Sequence, residues 1–236
     1  MINRSPLMRA FLGSTATLSL TLAAGLPWTT HTGRPEVTLM RTPGGGIQPQ
    51  VAMDRKGMLH LIYFSGDPSA GDIYYVRKAP DTPEFSKPIL VNSVPGSAIA
   101  VGSVRGPHLA VGTDGRVHVA WMGAHPTGSK KTVPMLYTRL NDPGTAFEPE
   151  RNVMQFAVGL DGGASVAADD SRNVYVVWHA NPENNGEGHR RVWMVHSGDD
   201  GRTFAREVAV DLIDSLLVHS PPEGVPLFLF HSTLLI

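Results

Sequence analysis

The sequence predicts an all-β chain of the β-propeller kind, and three observations predict it. Gly 25 and Pro 19 in 236 residues, with aromatics at only 7%, suit many short strands joined by turns rather than long helices. A segment running from Val51 through Gly57, Leu59 and His60 to Tyr63 recurs as Leu109 to Trp121 and again as Val166 to Trp178, the leading residues lying 58 and then 57 positions apart. Each copy ends on an aromatic. Behind each copy come a strand-like run (Ile73–Val76, Met135–Thr138 or Val192–Val195), a polar turn and a phenylalanine, Phe85, Phe147 or Phe204. Each repeat therefore holds about four strands. Four-stranded sheets repeated along a chain are the sequence sign of a propeller.

Taken from the N-terminus, Arg4 and Arg9 precede an uncharged stretch from Ala10 to Gly33 whose apolar centre runs from Phe11 to Leu26. That is the layout of a secretory signal peptide, with Ala23 and Gly25 placed for cleavage after Gly25 and Pro27 just beyond. Residues 1–25 are expected to be removed, leaving an exported protein, periplasmic or extracellular. The alternative is an uncleaved membrane anchor, since the stretch is almost long enough for a ~30 Å hydrocarbon core. Ser14, Thr15, Thr17, Ser19 and Thr21 weigh against it.

Val37 to Met40 reads as an outer strand that completes a blade, and a partial propeller is expected over 37–211. Its repeats fall at about 48–97, 105–158 and 161–211. In the third, strands are expected near 164–168, 174–179, 192–196 and 204–210. Val174, Val176 and Trp178 lie on one face of its second strand and Tyr175 and Val177 on the other, so both faces of that sheet are expected to be covered. After Asp211 the pattern stops. Residues 212–236 form an atypical apolar tail, rich in Leu, Val and Phe and carrying Pro221-Pro222. About three and a half repeats are thus present. The expectation is a truncated or frameshifted reading frame. Alternatives are a half-propeller completed by self-association through its open blade edges, and a product that does not fold stably.

Charge and composition exclude several classes. Twenty basic residues oppose 21 acidic ones without a basic run, so the electrostatic footprint of a nucleic-acid binder is missing. The chain has no cysteine, which excludes disulfides, a thiolate zinc site, a cysteine nucleophile and a lipid-modified cysteine. The 10 histidines form no metal-binding motif. His60 and His118 hold equivalent repeat positions, aligned with Tyr175, which points to strand packing. No nucleophile elbow, P-loop or dinucleotide fingerprint is present, and no metal or cofactor is expected.

The turn of the third repeat reads Ser197-Gly-Asp199-Asp-Gly201-Arg-Thr203-Phe204, the pattern of an Asp box. In such a turn the Asp accepts backbone N–H groups, Gly supplies positive φ, Thr adds a hydroxyl tie and the aromatic plugs the sheet. The second repeat keeps Asp142, Gly144 and Phe147, and the first keeps only Phe85. One Asp box in register with a four-strand repeat resembles the sialidase (neuraminidase) superfamily of BNR-repeat proteins, over roughly residues 37–211. The resemblance implies six blades and hydrolysis of terminal sialic acid from glycans. It also implies three arginines on the sialic-acid carboxylate, an Asp acid and a Tyr nucleophile activated by Glu. The Asp box itself lies on the outer rim, with a structural role.

By that resemblance Arg41, in Arg41-Thr-Pro43, is the counterpart of the first arginine, although Gly44–Gly46 alters the spacing. Asp72 is the nearest match to the acid, with Asp67 behind it. Ser65-Gly66-Asp67 stands where the second arginine is expected, and the nucleophile pair and third arginine have no counterpart. Position alone adds two ligand candidates. The leads into the inner strands of repeats two and three carry Arg105-Gly106-Pro107-His108 and Asp161-Gly162-Gly163, and Arg105 can grip a carboxylate with two N–H groups. The chain is therefore expected to be inactive as written, with sialylated or other glycans as partners. A noncatalytic carbohydrate- or protein-binding propeller is the alternative.

Overall fold

Alternating apolar residues, broken by turns built on Asp and Gly, fold the chain into three separate antiparallel sheets. The computed structural model describes residues 39–102, 105–124, 133–156, 160, 162–181 and 189–210. The predicted signal peptide, the tail 212–236 and Asp161 lie outside them. Blade I consists of β1 (Ile47–Met53), β2 (Leu59–Asp67), β3 (Ala70–Lys78) and β4 (Ile89–Leu90). Blade II follows with β5 (His108–Val111), β6 (Val117–Met122), β7 (Met135–Arg139) and β8 (Arg151–Asn152). Blade III holds β9 (Ser165–Ala168), β10 (Val174–Ala180), β11 (Arg191–Ser197) and β12 (Val208–Ala209). Each sheet is a meander in which consecutive strands pair, and β1, β5 and β9 lie next to one another in that order. This is the propeller arrangement, with the first strand of every blade innermost. Two short helical turns, Pro43–Gly45 and Thr113–Gly115, lie among the strands. Leu39 and Met40 belong to no strand, and Leu39 is 92% exposed, so the described half of the expected 37–40 strand is not one.

Local chemistry closes the turns. Asp54 Oδ1 accepts the backbone N–H groups of Lys56 at 2.8 Å and Met58 at 2.9 Å, while Gly57 takes a φ of 76° that a side chain would resist. Asp169 does the same in blade III for Ser171 and Asn173, both at 2.8 Å. Hydrophobic burial then stacks the blades. Ile62, Phe64, Ile73 and Tyr75 of blade I meet Val119 and Trp121 of blade II, and Met135 and Tyr137 of blade II meet Val176 and Trp178 of blade III. β6, between the two cores, is buried along its whole length.

The blade boundaries share a second set of ties. Phe147 stands edge-on against Tyr75 at 5.6 Å between centroids, and Phe204 against Tyr137 at 4.7 Å. The phenylalanine after the third strand thus packs on the preceding blade as well as on its own sheet. Glu150 accepts the N–H groups of Ser93 at 2.7 Å and Val94 at 3.1 Å, and Glu207 those of Gln155 at 2.9 Å and Phe156. Behind each boundary lies a buried histidine. His60 Nδ1 is 2.8 Å from the Tyr75 hydroxyl, and His118 Nδ1 is 2.7 Å from that of Tyr137. Burial pushes both imidazoles below their ordinary value, and pushes the Tyr75 phenol up to about 12.

On β10, Val174, Val176 and Trp178 are buried on one face, and Tyr175, Val177 and His179 are partly exposed on the other. Apolar residues on both faces record that a sheet packs on each side within a stack. Among the described residues no sheet follows blade III. At the opposite end, Val51 and Met53 of β1 are 63% and 68% exposed.

Candidate functional site

The Asp box is a closed local network. Asp199 Oδ1 accepts from the Ser197 hydroxyl at 2.7 Å and from the Thr203 N–H at 2.8 Å, and its Oδ2 accepts from the Thr203 hydroxyl at 2.6 Å. Ser197 Oγ accepts the Gly201 N–H at 2.9 Å. Burial works to raise the Asp199 carboxyl, but these hydrogen bonds prevail and hold it well below the usual carboxylate range. With its acceptor sites used inside the turn, Asp199 performs an architectural task. Gly201 has a φ of 74°, and a Cβ there would come within 1.8 Å of the Tyr137 hydroxyl, so the turn also fixes the approach of blade III to blade II.

The neighbouring Asp200 does what its place in the motif does not announce. It is buried and points across the boundary, its Oδ2 2.5 Å from Arg116 Nε and 3.3 Å from Arg139 Nη1, and its Oδ1 3.5 Å from His118 Nε2. Arg139 also grips Glu148 with two bonds, of 3.0 and 2.7 Å. Desolvation raises the Asp200 carboxyl, but His118 and the two guanidinium groups outweigh it and leave the group lowered.

Asp72, the counterpart of the acid, lies within β3 opposite Ser65, two positions past the hairpin tip. Its Oδ1 accepts from the Asn92 amide at 2.8 Å and from the Gly96 N–H at 2.8 Å, clamping the segment that leaves β4. Asp67 sits at the tip and accepts the Ser69 N–H at 2.8 Å. Arg41 is exposed ahead of the Pro43–Gly45 turn.

A different polar group forms where β1 and β5 enter their blades. Gln48 is a non-glycine residue at a φ of 47°, a left-handed conformation that costs about 1 kcal/mol or more and collects at functional sites. Its amide nitrogen donates to the carbonyls of Ala100 at 3.2 Å and Gly102 at 2.5 Å. Its Oε1 is buried without a hydrogen-bond partner, against Gly106, where a Cβ would come within 2.3 Å. Arg105, half-buried, donates from Nη1 to the Val101 carbonyl at 3.4 Å. Gln50 Oε1 accepts the Leu109 N–H at 3.4 Å, which turns its amide nitrogen toward His108 Nδ1 at 3.2 Å. His108 Nδ1 then accepts, and the ring proton resides on Nε2. Burial pushes His108 below its ordinary value, so the ring is neutral at pH 7.

Of the predicted ligands, Arg105 belongs to this group and Arg41 and Asp72 lie outside it. Gln48 and Gln50 escaped the sequence reading, and His108 entered it only as the end of the lead that carries Arg105. Gln50 and His108 both stand one position before the leading residue of their repeats, a correspondence the 58-residue period contains. Among the described residues no three His, Asp or Glu side chains are grouped to hold a metal ion.

No protein-family model and no curated protein matches the chain. Several solved structures are similar. The polysaccharide lyase Uly1 aligns at a TM-score of 0.44 with 11% identity, over 68% of this chain and 40% of its own. A polysaccharide lyase of family PL25, an ulvan lyase solved bound to -[GlcA(1-4)Rha3S]-, aligns at 0.36 with 14% identity, over 64% of this chain and 38% of its own. A glycosyl hydrolase from Bacteroides ovatus aligns at 0.39 with 7% identity, over 71% and 52%. The chain thus spans about two-fifths to one-half of these proteins.

Proposed function

We propose that the protein is an exported, sialidase-like propeller that binds acidic glycans at the entrances of its inner strands without hydrolysing them. The observation that carries this reading is the composition of the group around Gln48, Gln50, Arg105 and His108. It offers a guanidinium, an imidazole whose Nε2 carries the ring proton, and two amides. A guanidinium matches the fork of a sugar carboxylate, while amides and imidazole suit hydroxyl groups. The left-handed Gln48, held by Ala100 and Gly102, keeps the connecting loop next to Gly106. Hydrolysis is disfavoured because Asp72, the counterpart of the acid, serves as a loop clamp and the second arginine of the family pattern is absent.

Calorimetric titration with sialyllactose, a glucuronate disaccharide and neutral lactose tests the reading. Binding of the two acidic sugars, lost in Arg105→Ala and weakened in His108→Ala with the circular dichroism unchanged, is expected. Equal binding of lactose, or no binding of any sugar by a folded protein, defeats it. Turnover of a fluorogenic sialoside that disappears in Asp72→Asn restores the catalytic alternative.

A further inference from the structure

The three blades leave their third strands by one plan. Segments of equal length join Arg77 to Phe85, Arg139 to Phe147 and His196 to Phe204. The residue after each phenylalanine donates its backbone N–H to the carbonyl of the first residue: Ser86 to Arg77 at 2.8 Å, Glu148 to Arg139 at 3.0 Å and Ala205 to His196 at 2.9 Å. Equivalent positions in the three blades are thereby fixed. Arg139, opposite His118, is buried and held by carboxylates: Glu148 takes its Nε and Nη2 in a two-bond fork, and Asp200 of the next blade takes its Nη1. Arg77, opposite His60, is its counterpart in blade I. There Ser86 stands in the place of Glu148, and Pro143 in the place of Asp200.

Arg77 is exposed and makes no ion pair among the described residues. Its charge acts on the buried Tyr75 and His60, working to lower both. It lines a groove of about 420 Å³ at the end of blade I away from Gln48. Met58, Pro83 and the half-buried Phe85 give this groove apolar walls. Met58 takes the place of Arg116, whose guanidinium in blade II runs to the Leu140 carbonyl at 2.6 Å. The two hydroxyl groups in the lining are already bonded. Thr82 Oγ1 donates to the Ala79 carbonyl at 3.0 Å, and Ser86 Oγ donates to the Lys87 carbonyl at 3.1 Å while accepting the Arg77 backbone N–H at 3.0 Å. The exposed Glu84, also in the lining, forms no ion pair with Arg77.

From this difference between two equivalent arginines we infer that the groove binds an acidic peptide, whose glutamate or aspartate side chain grips Arg77 as Glu148 grips Arg139 and whose adjoining aromatic side chain lies on Met58, Pro83 and Phe85. The fork of a guanidinium on a carboxylate is the strong, directional contact. The thioether of Met58 packs well on an aromatic ring. Apolar walls and hydroxyl groups already in use favour a peptide over a sugar, whose hydroxyl groups would leave water without gaining partners. The chain holds the same pattern within itself at Phe147-Glu148, where the ring packs on Tyr75 while the carboxylate grips Arg139. The groove is separate from the strand-entrance group around Arg105 and does not depend on it.

Nuclear magnetic resonance of the arginine Nε–H signals of the full chain, titrated with the blocked dipeptide acetyl-Phe-Glu-amide, tests the inference. The signal followed is the one that Arg77→Gln removes. A saturable shift of that signal is expected, with binding weaker by about tenfold or more for acetyl-Phe-Gln-amide, which has the same shape and no charge. Ser86→Glu puts a carboxylate where blade II has Glu148. It is expected to shift the Arg77 signal without ligand and to abolish dipeptide binding while the remaining signals stay in place, so that loss of the fold is not mistaken for loss of the site. Equal binding of the two dipeptides overturns the inference, as does binding that Ser86→Glu leaves intact. So does an Arg77 signal that the dipeptide does not move, the result expected where a carboxylate outside the described residues already holds the guanidinium. A glucuronate disaccharide that binds at Arg77 more tightly than the dipeptide assigns the groove to a sugar and overturns the peptide.

Discussion

Replacing Asp200 with Asn isolates the charge at the boundary of blades II and III. The substitution keeps the size of the side chain and its tolerance of the left-handed backbone at this position, where φ is 65°. It removes the carboxylate that faces Arg116, Arg139 and His118, whose side chains are 17%, 5% and 0% exposed. Breaking a buried ion pair from one side costs about 3–5 kcal/mol when the partner is left with nothing. Here the partners retain other carboxylates, since Arg139 keeps both bonds to Glu148 and Arg116 keeps Asp142 at 2.7 Å and the Leu140 carbonyl at 2.6 Å. The expected loss is therefore smaller, about 2 kcal/mol, which at an m-value of about 2 kcal/mol/M lowers the urea midpoint by about 1 M. Asp142→Asn is the matched control, because that carboxylate is solvent-exposed and its removal leaves the midpoint unchanged. Urea unfolding followed by tryptophan fluorescence reads both, through Trp121 and Trp178 in the boundary cores. Equal midpoints for Asp200→Asn and wild type refute the view that this carboxylate ties the two blades together.

Glycine substitutions separate close approach from backbone strain: Gly201→Ala, with its Cβ 1.8 Å from the Tyr137 hydroxyl, is expected to lose about 3 kcal/mol or more, whereas Gly44→Ala, at a φ of 62° in open space, loses about 1 kcal/mol, both read as urea midpoints. Phe204→Ala removes the edge-on contact with Tyr137 and is expected to cost about 2–3 kcal/mol by the same measurement. Stability is expected to fall on mild acidification, because burial lowers His60, His108 and His118 below the ordinary imidazole value of 6.5. Above that value neither state holds the extra protons; as the pH falls below it, the unfolded chain binds them first and folding is disfavoured until the native imidazoles also protonate. A second loss follows below about pH 3.8, where unfolded aspartates protonate while the lowered Asp54, Asp199 and Asp200 resist. Midpoints that do not change between pH 7.5 and 5.5 contradict the first of these losses.

The repeat made the blades legible in the sequence. Its period places Val51, Leu109 and Val166 at the same point of three successive inner strands, and alternation within β10 identifies the residues on each face. The Asp box was equally readable, because its hydrogen bonds join residues within four positions of each other and depend on little outside the turn. The polar group at the strand entrances was not. Gln48 reaches Gly102 across 54 positions and Gln50 reaches His108 across 58, distances at which only the stacking of one blade on the next decides which side chains meet.

The same division explains Asp199 and Asp200. By itself the sequence determined the strand order within each blade, the turn chemistry and the alternation of faces, since these are local consequences of backbone sterics and burial. Tertiary structure decided that Asp199 closes its own turn while its neighbour crosses to Arg116, Arg139 and His118. It likewise decided that Phe147 and Phe204 pack on the blade before them, and that Asp72 clamps a loop through Asn92. Each of these assignments depends on how closely two separately formed sheets approach, and that distance is fixed by packing rather than by any short stretch of chain.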